Sequence, residues 1–329
     1  MSARKWTSLA GMALVAIIAA AAAFWYTPQA PTGKLGAAYF PNVILTTQDG
    51  KDVRFYDDLI KGKIVAINFI YSQCGFSCPL ETARLAQVQE ILGDRVGRDI
   101  FFYSISISPA HDTPAVLKKY AEQFNAGPGW TFLTGQSQDI DRLATKLGMT
   151  DDVSITAALG YDIDGHTPHL LIGNEATGQW LRDSATDNPH FLANLLGNFV
   201  SNDGRAPPGR TGSVGAPMSI ASAGQYLFGK ECAACHTIGH GDKIGPDLAE
   251  VTRTRDPDWV ARYIAEPDKM LEAGDPIAVA LQAQYQVTMP NLRVGDRDLA
   301  ALMEFLGAQA AERHAEMPPL DQPALRHGP

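Results

Sequence analysis

Ile64-Val-Ala-Ile-Asn-Phe-Ile-Tyr71-Ser-Gln-Cys74-Gly-Phe-Ser-Cys78-Pro79 decides the fold of this chain. Its first eight residues form an apolar run, interrupted only by Asn68, of the kind found in a central strand buried on both faces. The run leads straight into two cysteines four apart, and Pro79–Ile91 then reads as a helix. Strand and helix signals alternate on either side. Val43–Thr47 and Val53–Tyr56 flank Gln48-Asp49-Gly50-Lys51, a hairpin signal. Ile100–Ile107 reads as a second buried strand. Asp112-Thr113-Pro114 then opens a helix running to about Phe124, with a polar cap and an early proline. Trp130–Leu133, Leu170–Ile172 and Gln179–Arg182 read as further strands, and Gln138–Leu147 and Pro189–Val200 as helices. Over residues 39–200 this alternation predicts an α/β domain.

The remaining sequence divides just as clearly. A chain of 329 residues has room for about two domains. Residues 201–218, rich in glycine and proline, read as a flexible linker. Residues 219–311 show helical segments at Ile220–Gly229, Pro257–Ile264 and Asp296–Leu306 and no strand pattern, so the second domain is expected to be mainly α. Residues 312–329 form a Pro-rich tail. At the start, Arg4 and Lys5 precede the uncharged stretch Leu9–Tyr26, which is at the lower length limit for a membrane-spanning helix. Residues 1–26 are therefore expected to be a signal-anchor, with a cleaved secretory signal as the alternative. The basic flank stays on the cytoplasmic side, which puts both domains on the other, periplasmic side. A net charge of −9 excludes a nucleic-acid binder held by phosphate contacts.

The chain has four cysteines, Cys74, Cys78, Cys232 and Cys235, in two tight pairs. Four are too few for a disulfide scaffold in so long a chain, and one pair per domain predicts two separate pieces of cysteine chemistry. Residues four apart on a helix share a face, with Cβ atoms about 5–6 Å apart, so Cys74 and Cys78 can grip one soft metal ion. A helix N-terminus also favours thiolate over thiol. Thiolates suit Cu(I), with Zn(II) and iron–sulfur clusters as competitors, and a downstream histidine is needed as third ligand. A plain stabilising disulfide is the alternative, although closing so short a loop gains little.

Tyr39–Val200 resembles the Sco/SenC copper proteins. The likeness rests on Cys74-Gly-Phe-Ser-Cys78-Pro79 behind a buried strand, on Ser106-Ile-Ser-Pro-Ala-His-Asp112-Thr113-Pro114, on Trp130-Thr-Phe-Leu-Thr-Gly135 and on His166-Thr167. The resemblance implies a thioredoxin-like fold with copper held by Cys74, Cys78 and one histidine. It further implies delivery of copper to the dinuclear copper site of cytochrome oxidase, or reduction of that site's cysteines. His166, ahead of Thr167 and a strand, matches the family's ligand. His169 stays open as the alternative. Asp112 is expected as a helix cap near the site, and His111 and His190 as solvated loop residues.

Cys232-Ala-Ala-Cys235-His236 reads as a c-type haem attachment site, with two thioethers and a proximal histidine. A zinc knuckle would need a second ligand pair nearby, and this part of the chain has no further cysteine. A methionine is the usual second axial ligand of an electron carrier, and Met270, Met289 and Met303 are candidates. Residues 219–311 resemble class I cytochrome c: an N-terminal helix with Gly224-Gln-Tyr-Leu-Phe, the haem motif, Gly245-Pro246-Asp247-Leu248, Met289-Pro-Asn and a closing helix. By that resemblance Met289 is the distal ligand, and the Pro246 carbonyl accepts the His236 ring N–H. Trp259 and Tyr285 are expected in the core or at the haem.

The expected molecule is a membrane-anchored, thioredoxin-like copper metallochaperone and thiol-redox protein fused to an electron-transfer cytochrome c. Its cofactors are copper and covalently bound haem c. Its partners are the copper subunit of cytochrome oxidase or another copper or redox client, together with an electron-transfer partner. The alternative is a thiol-disulfide oxidoreductase or peroxidase using Cys74 and Cys78, with the haem domain as electron donor.

Overall fold

The computed structural model describes residues 36–149, 169–202 and 222–316. Seven strands form one mixed sheet: β1 (Ile44–Thr47), β2 (Asp52–Arg54), β3 (Ile64–Ile70), β4 (Ile100–Ser106), β5 (Trp130–Gly135), β6 (His169–Asn174) and β7 (Gln179–Ser184). Their order across the sheet is β2-β1-β5-β4-β3-β6-β7. The apolar run Ile64–Ile70 is central, as its composition demands: β3 pairs parallel with β4 and antiparallel with β6. The parallel β3–β4 pair needs a crossover, which α1 (Ser77–Leu92) supplies.

Both sheet faces are covered. On one lie α1, α2 (Pro114–Gln123) and α4 (Pro189–Asn194), whose Leu80, Val88, Leu117, Tyr120 and Leu192 pack with Ile70, Phe102 and Phe132. On the other lies α3 (Ser137–Lys146), whose Ile140 and Leu143 pack with Val65, Ile67, Tyr103 and Ile105. The expected strand Val53–Tyr56 is shorter than its pattern suggests. Phe55–Ile60 coils into a wide helical turn, because the Asp58 carboxylate accepts the Arg54 N–H and Asn42 Oδ1 accepts those of Tyr56 and Asp57.

The second domain is all helix among its described residues: α5 (Ala223–Leu227), α6 (Val251–Thr254), α7 (Pro257–Ala265), α8 (Pro267–Glu272), α9 (Pro276–Tyr285) and α10 (Asp296–Glu316). Its first and last helices cross in contact at Gly224, where a Cβ would lie 2.0 Å from the Ala301 carbonyl oxygen. Only glycine permits that approach, which brings Phe228 against Phe305, with ring centroids 5.5 Å apart. α10 runs to Glu316, past the expected domain end at residue 311, because Ala310 to Glu316 contains no helix breaker before Pro318.

The expected signal-anchor at residues 1–26 lies outside the described residues, as do almost all of the linker and the tail beyond Glu316. Among the described residues no helix is long and apolar enough to cross a membrane. The two domains do not keep separate cores. Ala234 and Ile244 of the second are buried in the same cluster as the α1 face of the sheet, with Cys235, Val287 and Leu292 packed against it.

Candidate functional site

Cys74 and Cys78 sit where β3 hands over to α1. Neither is in a disulfide and both are buried, at 4% and 0% exposure. They do not share a helix face as their spacing suggests: α1 begins at Ser77, so Cys78 lies in its first turn and Cys74 in the loop before it. The loop itself brings the sulfurs together. The Cys74 N–H donates to the Tyr71 carbonyl at 3.0 Å, folding the chain back, and the two side chains are hydrogen-bonded to each other. Burial pushes the Cys78 thiol well above the usual range, with Cys74 and the nearby Glu81 carboxylate adding to it. At Cys78, desolvation and the neighbouring acid thus work against the thiolate that a helix N-terminus favours.

The approach to Cys74 is fixed from below. Asp112 is fully buried and is not a helix cap; Thr113 caps α2, accepting from the Val116 N–H. The Asp112 carboxylate accepts instead from the Ser72 N–H at 3.2 Å, from the Ser72 hydroxyl, and from the Ser106 hydroxyl at 2.6 Å. It thereby ties the cysteine loop to the end of β4. His111 meets Tyr71 edge-on, with ring centroids 6.5 Å apart. Beneath Cys78, buried Glu81 receives an amide hydrogen of Asn68 at 3.5 Å, and Asn68 in turn accepts from Ser104. The Thr82 hydroxyl donates to the Cys78 carbonyl at 2.8 Å and lies 3.0 Å from the Tyr120 hydroxyl. Sequence reasoning missed Ser72, Glu81 and Tyr120. The signal available was Asn68, one polar residue inside an otherwise apolar strand.

Neither histidine candidate joins the two cysteines in a described metal cluster. His166 lies outside the described residues. His169 opens β6, and strand alternation puts it on the face of Leu171, which packs on the α3 side of the sheet. Leu170 faces the α1 side, where Cys78 lies, so the pleat turns His169 away from the cysteines. Among the described residues no three His, Cys, Asp or Glu side chains form a metal-binding group.

In the second domain, Cys232 ends the first helical stretch, and the Cys235 and His236 N–H groups both donate to its carbonyl. His236 donates from Nδ1 to the Pro246 carbonyl at 2.8 Å, as expected. Burial lowers its pKa, against the pull of that bond and of Asp242. Behind the ring, Gly245 leaves room that a Cβ would close, at 2.6 Å from His236 Cε1. With Nδ1 tied to backbone, Nε2 is the ring nitrogen left for a metal, and two neighbouring thiols able to form thioethers beside one imidazole match covalent haem. Burial pushes the Cys232 thiol up to about 12 and Cys235 up to about 11.

Asp247 orders the loop behind this histidine. Its carboxylate accepts from the N–H groups of Gly239, Gly241 and Ala249 and from the Thr237 hydroxyl. Met289 packs with Trp259, Tyr263 and Ala278, and so do Met270 and Met303. Trp259 stacks on Tyr263 and donates from its indole to Asp275, which makes it a core residue of this cluster. Tyr285 donates to Asp242 at 2.6 Å on the rim.

Comparison with known proteins gives the same division. A family model described as SCO1/SenC matches residues 35–199, and one described as Cytochrome c matches residues 221–310. The chain is similar to the SCO1 protein homolog of Bacillus subtilis, at 36% identity over 101 residues, covering 30% of this chain and 51% of that one. It is similar to a SCO2-like protein of Rickettsia conorii, at 32% over 153 residues, covering 44% and 69%. Among solved structures, copper-bound ScoI of Bradyrhizobium japonicum aligns at 26% identity and a TM-score of 0.38, over 47% of this chain and 94% of that one. Apart from the Rickettsia conorii protein, the chain spans about half the length, or less, of the curated relatives it matches.

Proposed function

The chain belongs to the SCO1/SenC family and carries a cytochrome c domain behind that part, and we propose that it is a membrane-tethered copper chaperone and thiol-redox protein. The observation that carries this is the Cys74–Cys78 pair, two buried sulfurs held in mutual contact on a loop pinned by Asp112. Copper is cargo here. Cys74 and Cys78 bind it as thiolates, a donor set that suits Cu(I), and each gives up its proton on loading. His166 completes the site from the segment leading into β6. Asp112 keeps Ser72 and the loop in place whether or not copper is aboard. The client is the dinuclear copper site of cytochrome oxidase, or another copper or redox partner.

Leu9–Tyr26 tethers the chain, and both domains work on the periplasmic side. Haem c, when bound, supplies one-electron exchange. Cys232 and Cys235 would hold it by thioethers, and His236, its ring angle set by the Pro246 carbonyl, and Met289 would hold its iron.

The test is titration of the purified full chain with Cu(I) against a competing chelator, beside a haem spectrum. We expect one Cu(I) per chain, uptake abolished by Cys74→Ser and weakened by about tenfold or more by His166→Ala. Thiol-disulfide activity that persists in His166→Ala, without stoichiometric copper uptake, would replace the chaperone with the oxidoreductase, for which the touching sulfurs are also suited.

A further inference from the structure

The second domain meets the first on the cysteine loop itself. The Asn291 N–H donates to the Gly75 carbonyl at 2.8 Å, and Gly75 is the residue after Cys74. The Arg293 guanidinium lies 4.8 Å over the Phe76 ring, inside the same Cys-x-x-x-Cys segment. Both residues belong to the loop that carries Met289. At the other end of that loop, Gln123 of α2 donates to the Gln286 carbonyl at 2.6 Å. Further contacts run along α1: Arg84, 3% exposed, donates to the Lys230 carbonyl, and Gln87 donates to the Ala233 carbonyl at 3.2 Å. Val287 and Leu292 pack on the cluster beneath.

Two backbone strains mark the same loop. Gln286 and Arg293 have φ of 57° and 52°, a left-handed conformation that costs a side chain energy and is usually left to glycine. They stand at the two ends of the segment that touches the first domain. Gln286 is also the left-handed cap that ends α9, and the loop after it is bonded at its middle to the cysteine loop through Asn291. The chain between Met289 and Cys74 is short: the backbone of Pro290 and Asn291, one hydrogen bond, and the backbone of Gly75.

We infer that the Asn291–Gly75 contact is a junction that passes single electrons between the two domains of the same chain. The inference rests on the copper and haem assignments proposed above. The step is one electron from ferrous haem in the second domain to Cu(II) held at Cys74 and Cys78, giving ferric haem and Cu(I). No bond is made or broken and no proton moves. The loop contact holds donor and acceptor sites at a fixed separation, so transfer does not depend on encounter between molecules. Copper that arrives as Cu(II) is thus reduced at the thiolates to the oxidation state they prefer, without an outside reductant meeting the buried site.

The test uses the full chain with both metals present. Amide hydrogen exchange is measured at Asn291, and haem oxidation is followed after Cu(II) is added to the reduced protein. We expect the Asn291 amide to be protected and transfer to be first order, with a rate independent of protein concentration. Asn291→Pro, which removes the donor N–H, is expected to slow it at least tenfold. Arg293→Gly, which removes the contact with Phe76 while keeping the left-handed backbone, should slow it as well. Transfer that scales with protein concentration, an unprotected Asn291 amide, or unchanged rates in both variants would overturn the junction while copper binding stands. Failure of the wild type to bind copper at the cysteines would instead remove the chaperone assignment, and the junction with it.

Discussion

At the scale of single residues, Asp112 has the most leverage over the cysteine site without touching a sulfur. A fully buried carboxylate is tolerable only when its oxygens are filled, and here they take two hydroxyls and one backbone N–H. The bonds join the residue before Gln73 to the last residue of β4, so they set where Cys74 begins. Asp112→Ala would leave the Ser72 N–H without this acceptor and free the loop. The expected cost is about 2–3 kcal/mol in urea unfolding, with Cu(I) affinity falling by about tenfold. Asp112→Asn, which keeps shape and one acceptor oxygen, should recover part of both. A variant with unchanged unfolding midpoint and affinity would show that the loop holds itself. The sequence motif made Asp112 visible but misplaced its role, because Asp-Thr-Pro reads as a cap, and only the fold reveals that Thr113 takes the cap while Asp112 turns inward.

At the scale of elements, the short helices of the second domain show where sequence patterns lose resolution. α8 and α9 were not legible: α8 spans under two turns, and α9 exposes most of its length, so neither carries an amphipathic stripe. The usable signal was the acid–proline doublet, repeated at Asp256-Pro257, Glu266-Pro267 and Asp275-Pro276, each placing proline in the first turn. The haem-motif loop, by contrast, is an element held by one side chain. Burial alone would raise the Asp247 carboxyl. The N–H groups of Ala249 and Gly239, the Thr237 hydroxyl and the Gly241 N–H outweigh it and bring the pKa down to about 2. Because the folded pKa lies below the unfolded value of about 3.9, the unfolded chain binds the extra proton as pH falls. The stabilisation is therefore complete above about pH 4 and is lost between there and pH 2. Allowing for solvent screening of a partly exposed group, it amounts to about 1 kcal/mol. Unfolding midpoints measured from pH 5 to pH 2 should fall less steeply in Asp247→Asn than in the wild type. Parallel curves would assign the acid sensitivity elsewhere.

At the scale of the whole molecule, the α/β domain was legible because its strands are buried runs bounded by turn residues. The haem motif was legible because cysteine is rare. The union of the two domains was not, because it depends on residues that carry no pattern: Ala234 and Ile244 read as loop residues, and Arg84 as an ordinary helical arginine. The four cysteines form no disulfide, and the α1 face of the sheet is completed by the second domain. Ile244 and Lys243 reach the groove beside Ala83, Ala86 and Phe124, a surface that a free-standing first domain would expose. Ending the chain at Asn202 should therefore destabilise the first domain even though its sheet is intact. Uncovering on the order of 100 Å² of apolar surface costs about 2–3 kcal/mol, which corresponds to a drop in Tm of roughly 5–10 °C for a domain of this size. Thermal unfolding of the truncated and full chains, followed by a probe confined to the first domain such as Trp130 fluorescence in variants lacking the other tryptophans, checks this. An unchanged midpoint would mean that the contacts at Ala234 and Ile244 align the two redox loops without holding up the sheet. The shift and its absence thus separate an interface that stabilises from one that only positions.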